Sequence, residues 1–358
     1  MTGPSPSDSP PSMLEREIRS QSRWLLTDID GSGQATRSAY RRLSRPDVTH
    51  IIVAARGSSD NAARYAQYLW GRALRWSTHM AAPSLYSTQT PPRLSGAAVV
   101  GISQSGQSPD IVGVLAAARD QARPTVAITN DPTSPLAEIA DVVVDLAVGP
   151  ELSLAATKTF TASLRAVVAI ASVAGSRELR AGLDRLPELF DQTVSMALET
   201  TRPLVELTNL DDPAGNLLTV VGRGTGHATA AEAALKIREI ARLRAEAYSA
   251  PDLLHGPVAA NGAGSAVLII ASPGQPLPYW SDLADRLIAD GVRVTAIVSG
   301  PQSRLTAHLL HELPDDLPAW LFDFVAVPFG QVAALRLGLA KGLDVDRPRG
   351  LTKVTLTT

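Results

Sequence analysis

The chain repeats itself at a fixed interval, and that repeat restricts its fold more than any other feature. An apolar run followed by a glycine turn, IIVAARGSSDNAARYAQYL around Gly57, returns as LTVVGRGTGHATAAEAALKI around Gly224, 224 − 57 = 167 residues on. VVGISQSG, with Ile102 closing its strand, returns as VLIIASPG with Ile270 in that place, an offset of 270 − 102 = 168. TVAITND returns as VTAIVSG through Ile128 and Ile297, an offset of 297 − 128 = 169. Three elements in register indicate a duplicated domain.

Within each copy, short β-branched runs alternate with helical stretches. In the first, Ile51 to Ala54 precedes a helix from Ser59, Val99 to Ile102 precedes one from Pro109 to Asp120, and Thr125 to Thr129 precedes one from Ser134 to Ile139. Strands and helices alternating at this length predict right-handed βαβ crossovers. Each copy is therefore expected to be a parallel sheet with helices on both faces, a flavodoxin-like three-layer α/β/α domain. Helical segments are expected from Met13 to Leu26, from Arg180 to Leu207 with interruptions at Pro187 and Pro203, and from Leu317 to Lys341. The expected organisation is a disordered tail over 1–12, a first domain over 13–195, a second over 196–341 and a C-terminal tail over 342–358 laid across another part of the fold.

With 358 residues, 45% of them hydrophobic, the chain can bury two cores, because domains usually hold about 100–200 residues. A net charge of −2 and the lack of a basic run argue against a nucleic-acid partner. The sequence has no cysteine, which excludes disulfides, thiolate metal sites and a cysteine nucleophile. MTGPSPSDSPPS lacks the basic and apolar regions of a secretory signal, and no apolar run approaches the roughly 18–20 residues of a membrane helix. A soluble, cytoplasmic protein is expected.

The segment GISQSGQSPDIV, Gly101 to Val112, is the strongest chemical signal. Ser103, Gln104, Ser105 and Ser108 lie between a strand end and a helix that opens at Pro109. Ligands of parallel sheets bind beyond the carboxyl ends of the strands, and the free N–H groups of a helix start favour an anion. The loop lacks the lysine and the spacing of a nucleotide P-loop, so a monophosphate suits it better than a triphosphate. The competing reading is that these serines only cap the helix. In the second copy the equivalent turn, Ser272-Pro273-Gly274, has lost most of the hydroxyls.

Glu232, Lys236 and Glu239 follow the second glycine turn at i, i+4, i+7, which places them on one helical face. They read either as a solvated salt-bridge face or as carboxylates on an apolar helix whose pKa is raised for proton abstraction. His255 stands in the loop EAYSAPDLLHGPV without a second histidine at metal-ligand spacing, and the other five histidines form no ligand cluster, so no metal is expected. ELSLAATKTF, with Glu151, Thr157 and Lys158, can simply open a long helix through Ala174. Taken without further information, Lys353 is an exposed terminal lysine.

Five ordered segments together carry a resemblance: SQSG at Ser103 to Gly106, AATK at Ala155 to Lys158, EAALKIRE at Glu232 to Glu239, EAYSAPDLLHGP at Glu246 to Pro257, and GLTKVT at Gly350 to Thr355. They resemble the tandem sugar-isomerase (SIS) domains of the isomerase module of glutamine-fructose-6-phosphate aminotransferase. ARGSSDNA, SPDI and AATK in place of ASTK are more similar to the free-standing SIS-type glucosamine-6-phosphate deaminases. The resemblance implies that Ser103, Gln104, Ser105 and Ser108 hold a sugar phosphate, with Ser58, Ser59, Ala155 and Thr157 in the same pocket. It implies that Glu239 is the base moving a proton between C1 and C2, with Lys236 one turn before it. It implies that His255 opens the sugar ring from the neighbouring subunit, hence a homodimer, and that Lys353 meets the carbonyl end of the sugar beneath the tail.

The expected activity is deaminating isomerisation of glucosamine 6-phosphate to fructose 6-phosphate and ammonia, without a cofactor and without glutaminase activity. Dehydration of N-acetylglucosamine 6-phosphate and deglycation of a fructosamine phosphate share the first step and the base. A sugar-phosphate sensor is the reading from another class. Ala156, where the synthase has serine, leaves the substrate's identity open.

Overall fold

The computed structural model describes residues 10–26, 33–86, 88, 90–208, 210 and 217–353. Each half builds a five-stranded parallel sheet. The first holds β1 (His50–Ala54), β2 (Thr78–Met80), β3 (Ala97–Ile102), β4 (Thr125–Thr129) and β5 (Val142–Asp145) in the order β2-β1-β3-β4-β5. The second holds β6 (Leu217–Gly222), β7 (Arg244–Ser249), β8 (Ala266–Ile270), β9 (Arg293–Ser299) and β10 (Leu309–Leu313) in the order β10-β9-β8-β6-β7. Read from the other edge, the second order is the first again, so the duplication extends to topology.

Before the first sheet come α1 (Met13–Arg19), α2 (Gln21–Leu25) and α3 (Gln34–Leu43). Its crossovers and continuation are α4 (Ser58–Leu74), α5 (Pro109–Asp120), α6 (Pro135–Ile139) and α7 (Lys158–Ser172), and α8 (Arg177–Thr200) and α9 (Arg202–Leu207) lead to the second sheet. There α10 (Thr225–Lys236), α11 (Ala250–Leu254), α12 (Leu277–Ala289), α13 (Ala319–Val325) and α14 (Val327–Ala340) complete the layers.

Alternation along the strands decides which face each sheet turns inward. In β3, Ala98 and Val100 belong to an inner core while Ala97 and Val99 belong to an outer one, as a period of two requires. That inner core is continuous between the halves: Val53, Val100 and Ile128 of the first sheet join Val220, Leu268 and Ile297 of the second through α4, α7, α10 and α14. Separate outer clusters cover the far faces, around Val114, Leu115 and Leu136 in the first half and around Trp280, Leu283 and Leu287 in the second. The inner helices α4 and α10 pack on each other, which brings the two glycine turns at Gly57 and Gly224 to one region of the molecule.

Several expectations need correction. Pro187 lies inside α8 without ending it, because Leu186, Leu189 and Phe190 are buried and hold the turn in place; the break comes at Thr201. The boundary drawn at 195 therefore falls within a helix. The segment expected to be a loop around Glu246 is an edge strand, β7, followed by the one-turn α11. α7 starts at Lys158, not at Glu151. Ala319–Ala340, with a mean hydropathy of 1.3 over its best window, is long and apolar enough to cross a membrane by length and composition, contrary to expectation; 94% of that window is buried within this fold. The expected tail over 1–12 lies outside the described residues up to 9, and Ser12 caps α1 by accepting from the Glu15 N–H at 3.1 Å. The Asp346 carboxylate completes that cap, accepting from the N–H groups of Met13 at 2.9 Å and Leu14 at 2.8 Å.

Candidate active site

The serine loop leaves β3, a strand with all six residues buried. Its shape is fixed by local bonds. The Ser103 hydroxyl accepts from the Gly106 N–H at 3.1 Å, and the Gln104 carbonyl accepts from the Asn130 N–H at 3.1 Å. Gly106 sits at φ +62°, and a Cβ there would run into Ser134, so glycine is required on both counts. Ser108 is the N-cap of α5, yet its side chain makes no capping bond. The reading of Ser108 as a side-chain cap therefore does not hold, and the residue lines the cavity described next.

Ser58 and Ser59 open α4 directly after Gly57, which adopts φ +56° and ψ −130°. Together with Ser103, Gln104, Ser105 and Ser108 they line one end of a cavity of about 330 Å³. Arg56 stands at the same end, with its Nε donating to Asp110 at 2.8 Å. The tether fixes a guanidinium beside the hydroxyls, a permanent positive charge that the serine motif alone does not reveal.

Glu239 and Lys236 line the same cavity. The helix changes pitch between them: α10 ends at Lys236, and Ile237–Ala241 forms a π turn before Arg242 at φ +52°. The Lys236 ammonium contacts Glu239 on one side and lies 3.6 Å from Glu232 on the other. Glu232 and Lys236 are sealed, at 2% and 1% side-chain exposure, whereas Glu239 keeps 21% and opens into the cavity. Glu232 reaches into the first half, accepting from Ser58 Oγ at 3.0 Å and Asn61 Nδ2 at 2.9 Å. Burial raises its pKa, and Lys236 and Asn61 pull the other way. Burial alone would depress Lys236, but Glu232 and Glu239 outweigh it and raise the pKa, so the ammonium persists.

The remaining wall comes from 151–160 and from the C-terminal segment. Over 151–157 the odd positions are buried; Leu154 and Ala156 line the cavity, whereas Ala155 and Thr157 do not. Thr157 instead donates from its N–H to Glu151 at 2.9 Å, and Thr159 Oγ1 donates to the same carboxylate at 2.7 Å. Lys353 crosses 202 residues to meet Glu151 at 2.8 Å and the Ser153 carbonyl at 2.6 Å. Burial pushes the Glu151 pKa up, but the Lys353 ammonium and the threonine donors pull harder and leave it lowered.

Of the residues singled out in the sequence, Ser58, Ser59, Ser103, Gln104, Ser105, Ser108, Lys236, Glu239 and Lys353 meet around this cavity, and Ala155 and Thr157 do not line it. His255 is exposed at the C-cap of α11, outside the cavity lining of its own chain. Sequence reasoning missed Arg56, Asn61, Glu151 and Thr159; for Arg56 its place next to Gly57 was an available signal. Among the described residues no cluster of three or more His, Asp or Glu has the arrangement of a metal site.

A family model described as the SIS domain matches residues 46–173 and 216–313. The chain is 31% identical to the isomerizing glutamine–fructose-6-phosphate aminotransferase of Gloeobacter violaceus over 94% of this chain and 57% of that one. It is 30% identical to the enzyme of that name from Sulfurisphaera tokodaii over 94% and 54%. The chain thus spans about half the length of the curated relatives it matches. Among solved structures, a protein from Silicibacter pomeroyi provisionally described as a phosphosugar isomerase superposes with a TM-score of 0.82 at 31% identity, covering 94% of this chain and 100% of that one. The glucosamine-6-phosphate deaminase of Thermotoga maritima superposes at 0.74 with 20% identity, covering 97% and 100%, a likeness of fold.

Proposed function

The chain belongs to the SIS-domain family, each matched segment enclosing one of its two sheets, and from that premise we propose that it converts glucosamine 6-phosphate to fructose 6-phosphate and ammonia. One observation carries the reading: Glu239, in contact with Lys236, opens into the same cavity as the serine loop. A sensor of sugar phosphates would need the loop alone.

The phosphate is held by Ser103, Gln104, Ser105 and Ser108 at the start of α5, with Ser58, Ser59 and Arg56 beside it. The open-chain sugar then extends towards α10. Glu239 takes the C2 proton, made acidic by the neighbouring aldehyde, and returns it to C1. In this reading the ammonium groups of Lys236 and Lys353, both on the cavity lining, stabilise the negative charge that develops on O1. Proton transfer leaves a ketimine at C2; water adds there and ammonia departs, which balances the reaction. A positioned base of this kind contributes on the order of 10² to 10⁴ in rate. The exposed position of His255 supports a homodimer in which each copy lends this histidine to the other's cavity for ring opening. A phosphorylated substrate supports a cytoplasmic setting.

The test is an assay of the purified protein with glucosamine 6-phosphate and with its N-acetyl form. Ammonia and fructose 6-phosphate in equal amounts from the free amine are the expected result. Loss of water from the N-acetyl sugar instead would replace deamination by dehydration, and release of free amine from a fructosamine phosphate would replace it by deglycation. Glu239→Gln is expected to slow exchange of the C2 proton with deuterated solvent by about 10² or more while changing substrate affinity only a few-fold. Unchanged exchange would remove Glu239 from the role of base.

A further inference from the structure

The second repeat keeps the glycine turn of the first and fills it from within. Gly224 adopts φ +61° and ψ −130°, the conformation of Gly57, and α10 starts one residue later at Thr225 as α4 starts at Ser58. The Thr225 hydroxyl, the Gly226 N–H and the Ser272 hydroxyl converge there. They hold the side chain of Asp323. Thr225 Oγ1 donates to Oδ2 at 2.5 Å, Ser272 Oγ donates to Oδ1, and the Gly226 N–H adds a third bond. Thr229 Oγ1 donates to the Asp323 carbonyl at 2.8 Å and fixes the backbone as well.

Asp323 is fully buried, and among the described residues no cation forms an ion pair with it. Asp323 lies on α13, between β10 and α14, and the segment of the first repeat between β5 and α7 lines the open cavity with Glu151, Leu154 and Ala156. The segment that walls the cavity in one copy thus fills the turn of the other. Gly226, in the place of Ser59, makes the plug possible, because a Cβ there would meet Asp323 Oδ1 at 2.8 Å and Ser272 Oγ at 2.6 Å.

We propose that the Asp323 carboxyl group is a built-in ligand of the second repeat's glycine turn, filling the space that the first repeat leaves open beside Ser58, Ser59 and Gln104, so that each chain binds one phosphosugar. The statement about the first repeat rests on the function proposed above; the occupancy of the second does not. Burial lifts the Asp323 pKa to about 7 while its hydroxyl and amide donors, and after them the Arg72 charge, oppose the shift.

Chemical rescue of the full-length protein tests the plug. Asp323→Ala is expected to lower the melting temperature, and about 0.1 M formate at mildly alkaline pH to restore half of the loss or more by filling the vacated turn. Formamide, the neutral isostere, and chloride at the same concentration are expected to restore little, and Asp323→Asn, whose amide fills the space, is expected to gain nothing from formate. Equal rescue by formate and formamide, or none in a folded Asp323→Ala, overturns the proposal; should that variant not fold, Asp323→Ser is measured in the same way and judged by the same outcomes. Calorimetric titration with glucosamine 6-phosphate of Glu239→Gln, which on the reading above binds without turnover, is expected to give one molecule per chain. Two per chain overturns the proposal, whereas no binding overturns the reading of the first repeat and leaves the formate comparison to decide the second.

Discussion

At the scale of single residues, the cavity is built from two kinds of group, and the sequence displays only one of them. Ser103 to Ser108 are legible because strand, loop and helix start are contiguous, and the bond from the Gly106 N–H to the Ser103 hydroxyl spans only three residues. Glu151 and Glu232 organise the opposite wall through partners 202 and 171 residues away, at Lys353 and Asn61, and no spacing in the chain announces those pairs. Glu151 also offers a test. Its pKa is lowered in the fold, so the stability it contributes is present above its ordinary value of 4.5 and is lost as pH falls through the lowered value. Glu151→Gln, which keeps the shape but removes the charge that Lys353 meets, is expected to cost about 2 kcal/mol at neutral pH. The gap from wild type is expected to narrow below pH 4.5. Unfolding curves at neutral and acidic pH check both statements; a gap independent of pH would mean that the carboxylate is not what stabilises this wall.

At the scale of elements, the central strands are legible and the edges are not. β1, β3, β4, β6, β8 and β9 are written as β-branched, apolar runs, since both faces of each are covered. The short or polar edge strands β2, β5, β7 and β10, such as RAEAYS in β7, carry too little of that signal. The π turn after Lys236 is equally silent. ALKIREIA reads as regular helix, and the change of pitch arises where Ile240 and Ala241 bury against α14. The close approach of α10 to α14 can be probed. A Cβ on Gly330 would lie 2.5 Å from the Ala233 Cβ and 2.9 Å from its Cα. Gly330→Ala is expected to destabilise by about 1–3 kcal/mol and to reduce activity, because the helix it displaces carries Lys236 and leads to Glu239. Gly113→Ala in α5, where a Cβ meets nothing within 4 Å, is the contrast and is expected to be neutral or to stabilise by about 0.5–1 kcal/mol. Similar losses in both variants would show that the contact with Ala233 is not what governs the result.

At the scale of the whole molecule, the repeat at 167–169 residues foretold two like sheets but not how they face each other. Register gives the copies; the apolar faces of α4 and α10 give the arrangement, and only that arrangement brings Ser58 to Glu232. Because one inner core runs through both halves, unfolding is expected to be a single cooperative transition, with the calorimetric enthalpy equal to the van't Hoff value. Two resolved transitions would show that the repeats are stable separately. The bond from Asp346 to the start of α1 has a further consequence. With Asp346 fixed there and Val345 buried beside it, Lys353 works at the end of a leash seven residues long, with a reach of at most about 25 Å. A group tethered so closely meets its target at an effective concentration of millimolar order. The Lys353 ammonium is thereby kept within reach of its two acceptors on the cavity wall, the Glu151 carboxylate and the Ser153 carbonyl.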